Sequence, residues 1–305
     1  MDRPLNPFSY DQTWTPVRLS STFSLPERVG KQIRHVLSWC LLAIRHRGKP
    51  PVFIAWPDLP SKRSVLHKIC RELGWELTNQ PRKNVIGVMR FEDATEKSLP
   101  LPAWIQHAQV PILNKQCVDI RKQTLERHHV TAFGYGMQVN PLAHEGFLVI
   151  KSDTNAQHDG RIVQGPLPQG SVHDTHVYQR VIRNQDTADR WLDLRVVWIN
   201  GILPHLYLKF KHEDERFTNL TAEVTLATVS DWLAPQEIEH ISNLMELHQT
   251  EAAELDVLRD ADDGRIYVVD INPTPWGPPE QLDRTHAQTA IHQMAKKLRQ
   301  AVVTK

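Results

Sequence analysis

The sequence predicts a mixed α/β (α+β) fold, and three observations carry that expectation. Helical and strand patterns alternate as α-β-α-β-β over residues 26–113. Two strand pairs turn at Asn200-Gly201 and at Asp262-Asp263-Gly264, both strong hairpin signals. A helix of regular apolar period closes the sequence over residues 285–302. The 305 residues suffice for two domains or one domain of several lobes, and a chain of that size buries a substantial core without disulfide or metal staples.

Residues 1–24 read as irregular, with Pro4, Pro7 and Pro16 among many Ser and Thr. Over 26–47, Val29, Ile33, Val36, Leu37, Cys40, Leu41 and Ile44 recur at helical spacing. Residues 51–56 are a continuous apolar run closed by Pro57, a buried strand. Residues 61–73 read as a helix stopped by Gly74. Strands follow at 84–91 and 110–113, giving a small sheet with helices packed on it. A helix is expected at 118–129, a short strand at 146–151 with a polar loop after it, and a strand at 177–182. The first hairpin pairs 191–200 with 202–210. Residues 235–247 form a helix with Ile238, Ile241, Leu244 and Met245 on one face, and the second hairpin pairs 255–259 with 266–271.

Composition narrows the function classes. The formal net charge is +1, so no global field draws the chain to nucleic acid or an anionic membrane. Cys40, Cys70 and Cys117 are far apart with no CxxC spacing, which fits a reducing, cytoplasmic compartment. The start, Met1-Asp2-Arg3-Pro4, lacks the form of a signal peptide. The apolar run 37–44 is too short to span a bilayer and is flanked by Arg34, His35, Arg45, His46 and Arg47. It reads as the buried face of an amphipathic helix, with a membrane-surface helix as the alternative. None of the sixteen histidines pairs at i, i+4 beside an acid, as a zinc helix requires.

The chemistry concentrates at Leu255-Asp256-Val257-Leu258-Arg259 and Val268-Val269-Asp270-Ile271-Asn272. Each acid sits among β-branched and apolar residues. On adjacent antiparallel strands, Asp256 and Asp270 can share one sheet face, and two such carboxylates repel unless positive charge lies between them. Magnesium suits the pair because it prefers hard oxygen ligands and shares its shell with phosphates. Asn272 has the facing of Asp270, since strand side chains alternate. The competing reading is two solvated acids at strand ends. Lys122, Lys151, Lys209, Lys211 and Arg216 supply the point charges that a phosphate tail needs from several directions. The solvated-surface reading is strongest for Lys211 and Lys115.

Taken in order, these residues resemble the ATP-grasp superfamily, specifically ligases of the ribosomal-protein glutamate-ligase type. The resemblance covers 114–275: Lys122, a strand ending in Lys151, a phosphate loop, the hinge strand Tyr178-Gln179-Arg180-Val181-Ile182, Asp193-Leu194-Arg195, Arg216-Phe217-Thr218-Asn219, Asp256 and Asp270-Ile271-Asn272. It implies an N-terminal small α/β lobe over 1–114 and an ATP-grasp domain over 115–305. That domain divides into a small lobe (115–184) and a large lobe (185–305), which grip ATP between them. By resemblance, Lys122 and Lys151 are nucleotide lysines, Gln179 reads the adenine amino group, Val181 and Ile182 offer backbone hinge contacts, and Asp193 meets the ribose. Arg216 and Asn219 stand on the phosphate and metal sides; Asp256, Asp270 and Asn272 are the magnesium ligands. Arg216, Lys209 and Arg195 are the expected catalytic cations. The resemblance implies ATP with two Mg2+ ions, Mn2+ substituting. Two departures stand out: the loop 152–161 holds one glycine, Gly160, and Asp270 occupies a place where glutamate is usual.

The expected activity is an ATP-dependent ligase. It phosphorylates a small-molecule or peptide carboxylate to an acyl phosphate, which an amine acceptor then attacks. A kinase for a small-molecule hydroxyl, and a nucleotide-binding module without turnover, are the alternatives. The Trp276-Gly277-Pro278-Pro279 segment is either a wall of the acceptor pocket or a plain turn.

Overall fold

A computed structural model describes residues 24–46, 50–157, 159–187, 190–212 and 221–303. Helix α1 (Leu25–Arg45) forms where the apolar period predicts it, but that face is not buried. Leu37 is 58% and Leu41 70% exposed. The opposite side meets the protein instead: burial, with Arg82 and His67 nearby, pushes His35 down to about 4. A 3.6-residue period fixes which side chains share a face, not which surface that face meets.

Next come β1 (Val52–Pro57), α2 (Val65–Leu73), β2 (Glu76–Thr78), β3 (Val85–Phe91), α3 (Ala103–Gln106) and β4 (Ile112–Leu113). The four strands make a parallel sheet ordered β2-β1-β3-β4. Gly74 ends α2 in the left-handed region at φ 68°, which a residue without Cβ adopts at no steric cost. β2 and α3 are too short to show a period in sequence.

The second half contains α4 (Lys122–Phe133), β5 (Gly146–Ser152), β6 (Arg161–Gly165), β7 (His176–Arg180), β8 (Gln185–Thr187), β9 (Arg190–Ile199), β10 (Leu206–Lys211), β11 (Glu223–Ala227), α5 (Pro235–Leu247), β12 (Ala252–Arg259), β13 (Ile266–Asn272) and α6 (Arg284–Val303). A three-stranded antiparallel sheet runs β6-β5-β7, so the stretch after β5 is not only a loop but returns as β6. A six-stranded sheet runs β11-β10-β9-β12-β13, with β8 also paired to β9.

The two predicted hairpins are the spine of the large sheet. Asn200 and Gly201 both take positive φ, 47° and 83°, the two-residue turn whose twist suits antiparallel strands. The second arm begins later than expected, at Leu206. One face of this sheet buries Leu194, Val196, Leu208, Leu255 and Val268 against Leu125 and Phe133 of α4 and Ile241 and Leu244 of α5. Pro235 opens α5, and Glu237 accepts the Ala234 N–H at 2.9 Å. At the other end of the core, α6 packs against α2 and β3. Gly87 permits this: a Cβ there would stand 2.9 Å from both the Phe53 ring and Val302.

Candidate active site

The free face of the six-stranded sheet carries the charged residues, and strand register places them. Asp193 on β9 lies opposite Lys209 on β10. Arg195 on β9 lies opposite Asp256 on β12. Asp256 lies opposite Asp270 on β13, and Glu254 opposite Asn272. Directly opposed antiparallel residues have Cβ atoms about 5 Å apart. The β12–β13 register shifts after Asp256, so Val257 pairs with Val268 and Val269 is an extra residue. This bulge lets both Val269 and Asp270 line the cleft, while Val268 stays in the core.

The three-stranded sheet closes the other side. Lys151, near the end of β5, pairs with Val177 on β7, and Gln179 pairs with Val149. Lys122 opens α4 and its ammonium donates to the Thr154 carbonyl at 3.0 Å. Asp153 accepts the Gln123 N–H at 2.9 Å, holding the loop to the start of α4. The cleft between the sheets has a volume of about 650 Å³, in the range of small-molecule sites. β7 is anchored to the second hairpin: Arg180 donates to Asp260 at 2.7 Å and to Tyr267 at 3.1 Å.

Charge in the cleft is arranged in pairs. Arg195 grips Asp256 with a two-point fork, Nε to Oδ1 at 2.8 Å and a terminal nitrogen to Oδ2 at 2.9 Å. Its remaining nitrogen reaches Glu254 at 3.4 Å. Lys211 pairs with Asp193 at 2.9 Å, and Asn184 donates to the same carboxylate at 2.9 Å. Burial alone would raise the Asp256 pKa, but Arg195 and Lys209 hold it below the usual carboxylate range. Asp270 goes the other way, raised by burial and by the Asp256 charge. Burial pushes Glu254 up to about 7 and, with the neighbouring Lys122 charge, pushes Lys151 down to about 8. Burial likewise lowers Lys122 and Lys209.

These residues fit a hard divalent cation. Asp270 Oδ1 is buried with no hydrogen-bond partner, an orphan that a cation would satisfy. The Asp256 oxygens each accept one bond from Arg195 and retain a second lone pair. Asn272 Oδ1 accepts the Thr274 N–H at 2.9 Å and lies 3.4 Å from the Thr274 hydroxyl, whose single proton can go to Asp93 instead, leaving Asn272 a lone pair. Among the described residues, no three His, Cys, Asp or Glu side chains gather into a metal-type cluster. The donor set is therefore two carboxylates and an amide, which are oxygen ligands.

Of the residues singled out in the sequence, Lys122, Lys151, Gln179, Ile182, Asp193, Arg195, Lys209, Asp256, Asp270 and Asn272 all line this one cleft. Val181 is not among the residues that line it. Arg216, Phe217, Thr218 and Asn219 lie outside the described residues. Lys211 corrects an expectation: it is 6% exposed and paired to Asp193, not solvated, because alternation along β10 turns it with Lys209 toward the acid of β9. Asp93, Glu254 and Thr274 were missed. Asp93 follows β3 and accepts the Thr274 hydroxyl at 3.3 Å, a contact across 181 residues with no local signal. Trp276, 59% exposed, borders the cleft, and the Arg63 guanidinium stands 5.3 Å from its ring centroid.

No protein-family model matches the chain, and no curated protein matches it by sequence. Solved structures do match. The VanG D-Ala:D-Ser ligase from Enterococcus faecalis aligns at a TM-score of 0.52 and 10% identity, over 83% of this chain and 100% of that one. The D-alanine–D-alanine ligase from Bacillus anthracis, solved with ATP, aligns at 0.50 and 12%, over 83% and 95%. The ATP-grasp ligase PsnB, solved with a phosphomimetic variant of its minimal precursor, Mg and ADP, aligns at 0.50 and 11%, over 80% and 98%. Identities this low speak for architecture and not for reaction. The parallel sheet, the three-stranded sheet and the large antiparallel sheet, with a charged cleft between the last two, are together the ATP-grasp fold, and this chain has it.

Proposed function

We propose that the chain is an ATP- and Mg2+-dependent carboxylate–amine ligase of the ribosomal-protein glutamate-ligase type, acting through an acyl phosphate. The observation that carries the proposal is the opposition of Asp256 and Asp270 on one face, with a buried, unpartnered Asp270 oxygen and two lysines, Lys122 and Lys151, whose charges act on it. The solved relatives with ATP, and with Mg and ADP, support a nucleotide in this cleft. The proposed division keeps 1–114 as the N-terminal lobe, 115–184 as the small ATP lobe and 185–305 as the large one.

Each residue then has a physical task. Lys122 and Lys151 neutralise the phosphate tail from one side. Gln179 and the backbone at Ile182 bound the base end, and Asp193, fixed by Lys211 and Asn184, meets the ribose. Asp256, Asp270 and Asn272 hold the metal, which when bound offsets charge on the transferring phosphoryl group. Arg195 orients Asp256, and Arg195 and Lys209 add fixed positive charge where the acyl phosphate forms. A carboxylate oxygen attacks the γ-phosphorus and ADP leaves. The amine then attacks the acyl carbon, inorganic phosphate leaves, and the amine proton passes to solvent. Catalysis of this kind rests on positioning and charge, so it needs no Ser-His or Cys-His nucleophile.

Hydroxylamine tests this directly. It is a small nucleophile that intercepts acyl phosphates. With amino-acid or peptide carboxylates, ATP and Mg2+, the expected products are a hydroxamate, ADP and phosphate. A stable phosphorylated acceptor without free phosphate would replace the ligase by a kinase. Absence of any thermal shift with millimolar ATP and Mg2+ would remove the nucleotide itself, since ligand at about a hundred times its Kd adds about 2.7 kcal/mol.

A further inference from the structure

The strongest feature outside the cleft is α1. It presents Leu25, Val29, Ile33, Leu37, Leu41 and Ile44 outward, at 51–77% exposure. No described element covers this stripe, which runs most of the 21-residue helix. The other side of the helix, at His35, Leu42 and His46, is half-buried. Scattered exposed apolar residues need no explanation, but a continuous stripe does.

Charge indicates what would cover it. Over positions 25–49 the sequence holds Arg28, Lys31, Arg34, Arg45, Arg47 and Lys49 against Glu27 alone. That is six basic residues and one acidic, a local charge of +5. The whole chain carries +1, so the remainder carries −4. Two copies pairing through this helix would bring two such charges together, which opposes association. A surface that is apolar below and anionic above satisfies both properties at once. No described helix is long and apolar enough to cross a membrane, so a helix of this kind lies in the interface and does not span it.

We propose that α1 docks the protein onto an anionic lipid surface. The apolar stripe enters the boundary between headgroups and acyl chains, and the net basic charge of this stretch of sequence favours acidic headgroups. The inference is independent of the ligase reading, because α1 contributes no residue to the cleft.

Cys40 makes the test simple, since it is exposed on α1 while Cys70 and Cys117 are buried. The full-length protein is labelled at Cys40 with an environment-sensitive dye and mixed with phosphatidylcholine vesicles, with and without phosphatidylglycerol. The expected result is co-sedimentation and a blue shift with the anionic vesicles only, weakened by salt. Leu37→Glu with Leu41→Glu should reduce vesicle binding at least about tenfold, because two charges in the apolar face oppose its insertion. Arg34→Glu should weaken it less. Both variants alter exposed side chains and should keep the wild-type melting temperature. Three results would overturn the proposal. One is no vesicle binding at all. A second is a concentration-dependent dimer that the double variant dissolves, which makes the occupant a second copy. The third is a label already blue-shifted in the free monomer, which makes the occupant residues 1–23 of the same chain.

Discussion

Lys211 and Asp193 form an ion pair of 2.9 Å inside the cleft, with side chains only 7% and 13% exposed. Removing one partner leaves a nearly buried charge uncompensated. Lys211→Ala should therefore lower unfolding free energy by about 3 kcal/mol, the low end for a broken buried pair because Asn184 still donates to Asp193, read as a shift in the denaturant midpoint. Adding Asp193→Asn should recover much of that loss. A single variant as stable as wild type would show that the pair has no structural weight.

Asp270 bears burial and the Asp256 charge together. Asp270→Asn should raise the melting temperature of the free protein, because it removes the charge that burial and Asp256 disfavour. The same variant should lose the further rise that Mg2+ with ATP gives to wild type, and all turnover. Destabilised protein that still responds to Mg2+ would separate Asp270 from the metal.

Lys151 offers a pH signature. Its pKa in the free protein is pushed down to about 8, and phosphate charge beside it would raise that value on binding. Binding then takes up a proton above pH 8 and none below. ATP affinity should be flat below pH 8 and fall by up to about tenfold per unit above it. Lys151→Ala should bind ATP more weakly at neutral pH and lack the break. A retained break in that variant would assign it to another group.

Four histidines are held neutral by burial, each pushed down to about 4: His35, His129, His205 and His248. Their unfolded value is near 6.5, so between about 4 and 6.5 the unfolded chain binds more protons than the folded one. Their contribution to stability is complete above 6.5 and is lost as pH falls toward 4. Urea midpoints should drop from pH 7 to pH 5 by an amount worth about 1–2 kcal/mol for each of these histidines. His248→Leu should flatten that drop. Midpoints independent of pH across this window would contradict the neutral assignment.

The sequence by itself determined what depends on neighbours along the chain. Asn200-Gly201 and Asp262-Asp263-Gly264 set two hairpins because turn backbone is chosen locally. The two-residue period put Asp270 and Asn272 on one face, and the apolar spacing placed α5 and α6 nearly to the residue. Only the tertiary structure decided what those faces meet. β9 inserts between β10 and β12, and that order brings Arg195 against Asp256 and Lys211 against Asp193. The Val269 bulge depends on a partner strand, and the Asp93–Thr274 contact joins residues 181 apart. α1 shows the same division from the other side: its amphipathic period was legible, yet its apolar stripe faces outward. Periodicity is a property of one element's geometry, whereas burial, ion pairing and pKa arise from register and packing between elements that the chain connects only at long range.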